Sequence, residues 1–191
     1  MENINNLNTP LGHEELKKFK HEFYTYRNGI IADRLRSAGD CHKIIFGLNI
    51  PQLVNIANEY GKNVETARLL WNNSTCRESR LLAPMLFPIE IMQYDEACQW
   101  IENIENIEIA DNLCHKLLKR LNYAQELIIK YSTHDSDILR YTAFRLAINL
   151  ICINAITNYE TIINAAKHEM ASDCNMTGPL CKEIIEEFVQ E

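Results

Sequence analysis

Ile44-Ile45-Phe46-Gly47-Leu48-Asn49-Ile50-Pro51-Gln52-Leu53-Val54-Asn55-Ile56-Ala57, followed by Leu70-Trp71 and then by Arg77-Glu78-Ser79-Arg80-Leu81-Leu82-Ala83, is the stretch that decides the fold. Pro51 presets φ for a first helical turn, where its missing N–H costs nothing, and Leu53, Ile56 and Ala57 then share one face. Gly47, just before, permits a backbone path that a Cβ would obstruct. A second helix fits Val64 to Asn72 behind Asn63, and Thr75-Cys76-Arg77-Glu78 has the spacing of a capping box opening a third. The pattern is helix, short turn, helix, short turn, helix.

The same punctuation continues outward. Met1 to Leu11 is polar, Asn-rich and aperiodic and reads as a disordered lead-in, with residues 12–191 forming a single helical repeat domain. Leu16, Phe19 and Phe23 place a helix over Glu14 to Tyr26, ended by Asn28-Gly29, and Ile30 to Ser37 is a shorter helix closed by Gly39. Beyond the break at Phe87-Pro88, Ala97, Trp100, Ile101 and Ile104 stripe a helix over Asp95 to Ile104. Ile107, Ala110, Leu113, Cys114, Leu117, Leu118 and Leu121 give a longer one, from Asn106 to Leu121, its packed face. Tyr123 to Tyr131 is helical, and Asp137 to Ile153 is apolar on almost every side apart from a polar line of Thr142, Arg145 and Asn149, as in a helix sandwiched between layers. Thr157-x-x-Glu160 has capping-box spacing, and Gly178-Pro179 opens the last helix. Trp71, Trp100 and Tyr131 each close the first helix of a pair at intervals of roughly thirty residues, a weak periodicity of the kind helical repeat arrays show. The fold class is all-α.

Composition narrows the function. Seven cysteines sit singly, with no C-x-x-C pair and no His/Cys clustering at zinc spacing, so reduced thiols and a cytoplasmic chain are expected, with no metal. No P-loop, nucleophile elbow or dinucleotide fingerprint is present, so no cofactor is expected, and no apolar run approaches the roughly 18 residues of a membrane span. The net charge of -7 argues against a generic nucleic-acid binder, but it is unevenly placed. Lys17 to Arg80 carries a local +5, Glu90 to Asp111 a local -7, and the last 41 residues -5. A DNA-binding face therefore draws on the N-terminal half, including Arg77 and Arg80, together with Lys116, Lys119, Arg120 and Lys130; solvated helix faces produce the same blocks.

Asp111 is the candidate for chemistry. It lies within an apolar stripe, four residues after Ile107 and three before Cys114, where a carboxylate loses hydration and calls for a cation nearby. Arg140, on the first turn of the Asp137 helix, is a candidate partner, and a buried structural ion pair is the competing reading. His115 beside it reads as a satisfied or solvent-facing histidine, and Trp71 and Trp100 read as core.

The F-G-hydrophobic-x-x-P-x-hydrophobic start, the Leu-Trp end and the R-E-x-R-x-x-A helix together resemble the HEAT-like DNA alkylation repair glycosylases, from about Ile30 to Ile153. The resemblance implies a HEAT-like α-solenoid of antiparallel helix pairs, whose concave face holds duplex DNA and excises cationic alkylated purines by hydrolysing the N-glycosidic bond. It also implies a helix carrying W-[DE]-x-hydrophobic-D, matched here by Ile107-Glu108-Ile109-Ala110-Asp111, so that Asp111 stands at the carboxylate that stabilises the sugar cation while Ile107 replaces the tryptophan. The segment W-x-x-S-x-x-x-W-L-R-R-[AT] matches Tyr131 to Thr142; Arg140 takes the first arginine, Tyr141 stands at the second, and Ile138 replaces the second aromatic. A carboxylate and an electron-rich aromatic wall do much of the work in cleaving a cationic nucleoside, and aliphatic side chains supply no such wall.

Two readings follow. In one, the chain is a monomer that binds duplex DNA, with Asp111 as the electrostatic catalytic residue and Arg140, Lys116, Lys119, Arg120, Arg77 and Arg80 on phosphates. In the other, it is a non-catalytic scaffold that meets a protein partner through its concave face or its acidic C-terminal helix.

Overall fold

The computed structural model describes residues 10–172 and 174–189. Among these are eleven α-helices and no strand, only an isolated bridge between Ile44 and Cys76. None of these helices is long and apolar enough to cross a membrane, and all seven cysteines are free thiols. The chain divides into two compact units, Met1–Pro88 and Ile89–Glu191.

The first unit holds α1 (Pro10–Thr25), α2 (Gly29–Ser37), α3 (Ile50–Tyr60), α4 (Val64–Asn72) and α5 (Arg77–Leu86). Its centre is α5, packed against α3 and α4 and buried at every residue, Arg77, Glu78, Ser79 and Arg80 included. Leu53, Ile56 and Ala57 of α3 face inward, as their spacing predicts, and Asn63 caps α4 by accepting the Thr66 amide at 2.8 Å. Helix α1 starts earlier than expected, taking Pro10 into its first turn, so residues 10 and 11 are not lead-in; residues 1–9 lie outside the described residues.

The second unit holds α6 (Tyr94–Glu102), α7 (Ile107–Lys116), α8 (Ala124–Tyr131), α9 (Asp137–Ile151), α10 (Tyr159–Met170) and α11 (Gly178–Val189). Helix α9 packs against α6, α7, α8 and α11, the sandwiched position its apolar sequence predicts. The long helix expected from Asn106 to Leu121 is broken: Leu117 leaves the helical region at φ -127° and ψ -64°, and Leu118–Arg120 makes a tight 3-10 turn. That break turns three basic side chains onto the end of α7.

Two predicted capping boxes do not form. Cys76 is the N-cap of α5 without a side-chain bond, and Glu78 reaches away from its own helix end. At α10 the cap is Asn158, which accepts the Thr161 amide, while the Thr157 hydroxyl accepts from Gln125. Asparagine does most of the capping: Asn28, Asn49, Asn63, Asn106 and Asn158 each bond an amide of the following first turn.

Candidate nucleic-acid interface

In the second unit, α7 presents Ile107, Asp111 and His115 at i, i+4 and i+8, and α9 lies alongside with Tyr141 and Arg145. Asp111 does have a cation beside it. The Arg145 Nε lies 3.0 Å from its carboxylate, and the Tyr141 hydroxyl donates to the same oxygen at 2.8 Å. The side chains of the ion pair are 34% and 35% exposed, so solvent reaches it and it contributes about 1 kcal/mol or less. Burial, and then the hydrogen bond to Asp111, raise the Tyr141 phenol well above its ordinary value, so it stays a donor.

Arg140 is therefore not the partner of Asp111. One residue along a helix is a turn of about 100°, and positions 141 and 145, not 140, share the face toward α7. Arg140 instead donates from Nε to Glu169 of α10 at 2.9 Å, from one terminal nitrogen to the carbonyls of His134 and Asp135, and from the other to Asp137. Glu169 is buried and also accepts the Thr177 hydroxyl at 2.6 Å, so Arg140 ties α9, α10 and the approach to α11 together. Its guanidinium is held by these bonds, Glu169 foremost.

Arg77 and Arg80 are also corrected. Both are buried in α5 of the first unit: Arg77 lies 2.9 Å from Glu78 and 3.8 Å from Asp40 and donates to the Leu48 carbonyl, while Arg80 lies 3.8 Å over the Trp71 ring and donates to the Trp71 carbonyl at 2.6 Å. The arginines of the signature brace the unit. Its glutamate does the same, because the Glu78 carboxylate accepts the amides of Phe46, Gly47 and Leu48 and so fixes the loop ahead of α3. Asp40, Cys41 and His42 bring three ligand-type atoms within 4.8 Å of one another, but that carboxylate already faces both the His42 ring and the Arg77 guanidinium.

Lys116, Lys119 and Arg120 lie close together in the structure. They gather with His115 at the broken end of α7, and the Lys119 ammonium lies 3.2 Å from the His115 Nδ1. Burial and then Lys119, Lys116, Arg120 and Arg145 lower the His115 pKa, so the ring accepts a hydrogen bond as the neutral imidazole. Burial, Arg120 and Lys119 lower the Lys116 pKa as well. Lys130, by contrast, lies 3.5 Å from Glu102 and over the Tyr131 ring. Trp71 and Trp100 are both core, and Ile107, 41% exposed, supplies the only side chain of its line N-terminal to Asp111 within α7. Sequence reasoning missed Arg145 as the partner of Asp111, although it stood on the polar line of its helix, four residues after Tyr141.

Comparisons with known proteins agree with this geometry at the level of the fold. A solved structure from a family of proteins related to the HEAT-like repeat DNA glycosylases, with affinity for branched DNA structures, matches with a TM-score of 0.77 at 15% identity, covering 88% of this chain and 73% of that one. The fold is thus a HEAT-like array of helices. No curated protein matches the sequence. The family model of the DNA alkylation repair enzyme matches residues 19–177. The chain belongs to the DNA alkylation repair enzyme family.

Proposed function

We propose that this protein binds DNA through the cation cluster at the end of α7 and does not excise bases. The observation that carries the reading is the gathering of Lys116, Lys119 and Arg120 around His115 at the broken end of α7, where the Lys119 ammonium lies 3.2 Å from the His115 Nδ1; burial and then these cations lower the pKa of His115 and of Lys116. A concentration of positive charge in a chain of net charge -7 is a candidate site for anions, and DNA phosphate fits the family to which the chain belongs. What supports a loss of excision is that Ile107 stands at the position the resemblance gives to tryptophan, and that both tryptophans are buried. The affinity of the structural relative's family for branched DNA makes branched duplexes the form to test beside plain ones.

The test is binding of labelled plain and four-way-branched duplexes across a salt series, with wild type and the Lys116→Ala/Lys119→Ala/Arg120→Ala variant. Each phosphate contact contributes about 0.9 to the slope of log affinity against log salt, so the variant should lose roughly two to three units of slope. No binding by wild type at low salt would end this reading in favour of a protein-binding scaffold.

One observation favours a second reading. Asp111 is paired with Arg145 yet a third exposed, so the carboxylate that the resemblance matches to the family's catalytic one is accessible. In that reading Asp111, with Tyr141 donating to it, stabilises a sugar cation without the tryptophan that the resemblance implies, and base release from methylated duplex DNA is its signature.

A further inference from the structure

Residues 24–30, at the corner between α1 and α2, are all exposed, although the backbone there is held firmly. The Asn28 amide donates to the Phe46 carbonyl at 2.8 Å, and Asn28 caps α2. On this fixed corner Tyr24 is 52% exposed, Tyr26 40% and Ile30 70%, and the Arg27 guanidinium lies over one face of the Tyr24 ring, 4.0 Å from its centre. Lys17, Lys20 and Tyr24 are spaced three and four residues apart on α1, and Arg27 continues their ridge past the helix end by lying on the Tyr24 ring; Lys17 is in an exposed pair with Glu14 at 2.6 Å, which solvent and a phosphate can both reach. The surrounding stretch from Lys17 to Arg36 carries six Lys/Arg against two Asp/Glu.

We propose that this ridge is a second nucleic-acid contact, which takes unpaired nucleotides by stacking a base on Tyr24 and setting the adjoining phosphates on Lys17, Lys20 and Arg27. Two features favour an unpaired strand over a duplex. A tyrosine ring can only offer its face to a base that has left its stack, and with Arg27 covering one face of Tyr24 the exposed remainder of the ring is the surface available to it. The helical part of the ridge, Lys17 to Tyr24, is also roughly 10 Å long, which is the axial length of about three nucleotides of one strand, with Arg27 just beyond it. An aromatic side chain interleaved with cations along such a line is the arrangement that holds single strands with little regard to sequence. Charge complementarity selects the occupant, because this is the basic part of an otherwise acidic chain.

The inference rests on DNA being the partner, and the experiment separates the two. Binding is compared for a blunt duplex and for the same duplex carrying a single-stranded arm, with wild type, Tyr24→Leu and Tyr24→Phe. Wild type and Tyr24→Phe should bind the armed duplex about tenfold more tightly than the blunt one, and Tyr24→Leu should lose that preference while keeping its affinity for the blunt duplex. An undiminished preference in Tyr24→Leu would overturn the proposal, as would wild type that binds both duplexes equally. Displacement of the arm by poly-glutamate, equally from wild type and from Tyr24→Leu, would assign the ridge to acidic protein and overturn it too. Failure of wild type to bind either duplex would instead remove the DNA-binding reading on which this one stands.

Discussion

The Glu78 carboxylate accepts the Gly47 amide at 2.9 Å across 31 residues of sequence, and it is completely buried as it does so. It takes the Phe46 and Leu48 amides as well, and Arg77 lies 2.9 Å from the same oxygen that accepts from Gly47 and Leu48. Glu78→Ala leaves those amides and the Arg77 charge without their common partner, and should cost about 3 to 5 kcal/mol in urea unfolding. Glu78→Gln keeps an acceptor and should cost less.

Gly47→Ala should also destabilise the first unit. The residue sits at φ +82°, and a Cβ there would lie 2.3 Å from the Asn28 carbonyl oxygen and 2.9 Å from the Ala32 nitrogen, both backbone atoms that cannot swing away. A loss of roughly 2 to 4 kcal/mol in thermal or urea unfolding is expected, more than the left-handed conformation alone would cost.

If DNA binds at the α7 cluster, His115 makes that binding depend on pH. Its folded pKa is lowered, by burial and then by Lys119, Lys116, Arg120 and Arg145, so the unfolded chain takes up the proton first as pH falls through about 6.5, and stability declines there. A bound phosphate reverses the local field and raises the pKa, so the complex takes up a proton that the free protein refuses. Affinity for DNA should therefore rise between about pH 8 and pH 6, and His115→Gln should remove that part of the rise, read by anisotropy at constant ionic strength.

Asp111→Asn separates the two readings of the α7 site. If Asp111 only holds Arg145, the substitution frees a guanidinium beside the cluster and removes a negative charge, and DNA binding at low salt should tighten by about threefold to tenfold. Neither protein should release base from methylated duplex. Release by wild type that disappears in Asp111→Asn would make Asp111 catalytic.

What was legible in the sequence was what local rules decide. Asn63 before Val64 and Pro51 in the first turn of α3 each act within a few residues, and the structure keeps both; the glycine at position 47 is kept too, although the backbone that excludes a Cβ there, Asn28 and Ala32, is distant in sequence. The boxes at Thr75 and Thr157 failed because a partner distant in sequence, or a better cap next door, took the groups involved: Glu78 found three amides of a remote loop, and Asn158 displaced Thr157. A charged residue is ordinarily read as exposed, so the burial of Arg77 and Arg80 becomes visible only when Glu78 and the Trp71 ring are placed beside them. The choice between Arg140 and Arg145 depends on how α9 is rotated against α7, a tertiary quantity with no local signature.

The burial of Trp71 under the Arg80 guanidinium, with Trp100 buried in the other compact unit, gives the protein one indole per unit. Trp100→Phe leaves an emitter that sees only the first unit, and Trp71→Phe one that sees only the second. Recorded along a single urea titration, the two spectra report whether the helices before and after Pro88 melt at one denaturant concentration or at two. Arg80, lying against the ring of the first emitter, makes that signal sensitive to the loss of α5 packing in particular.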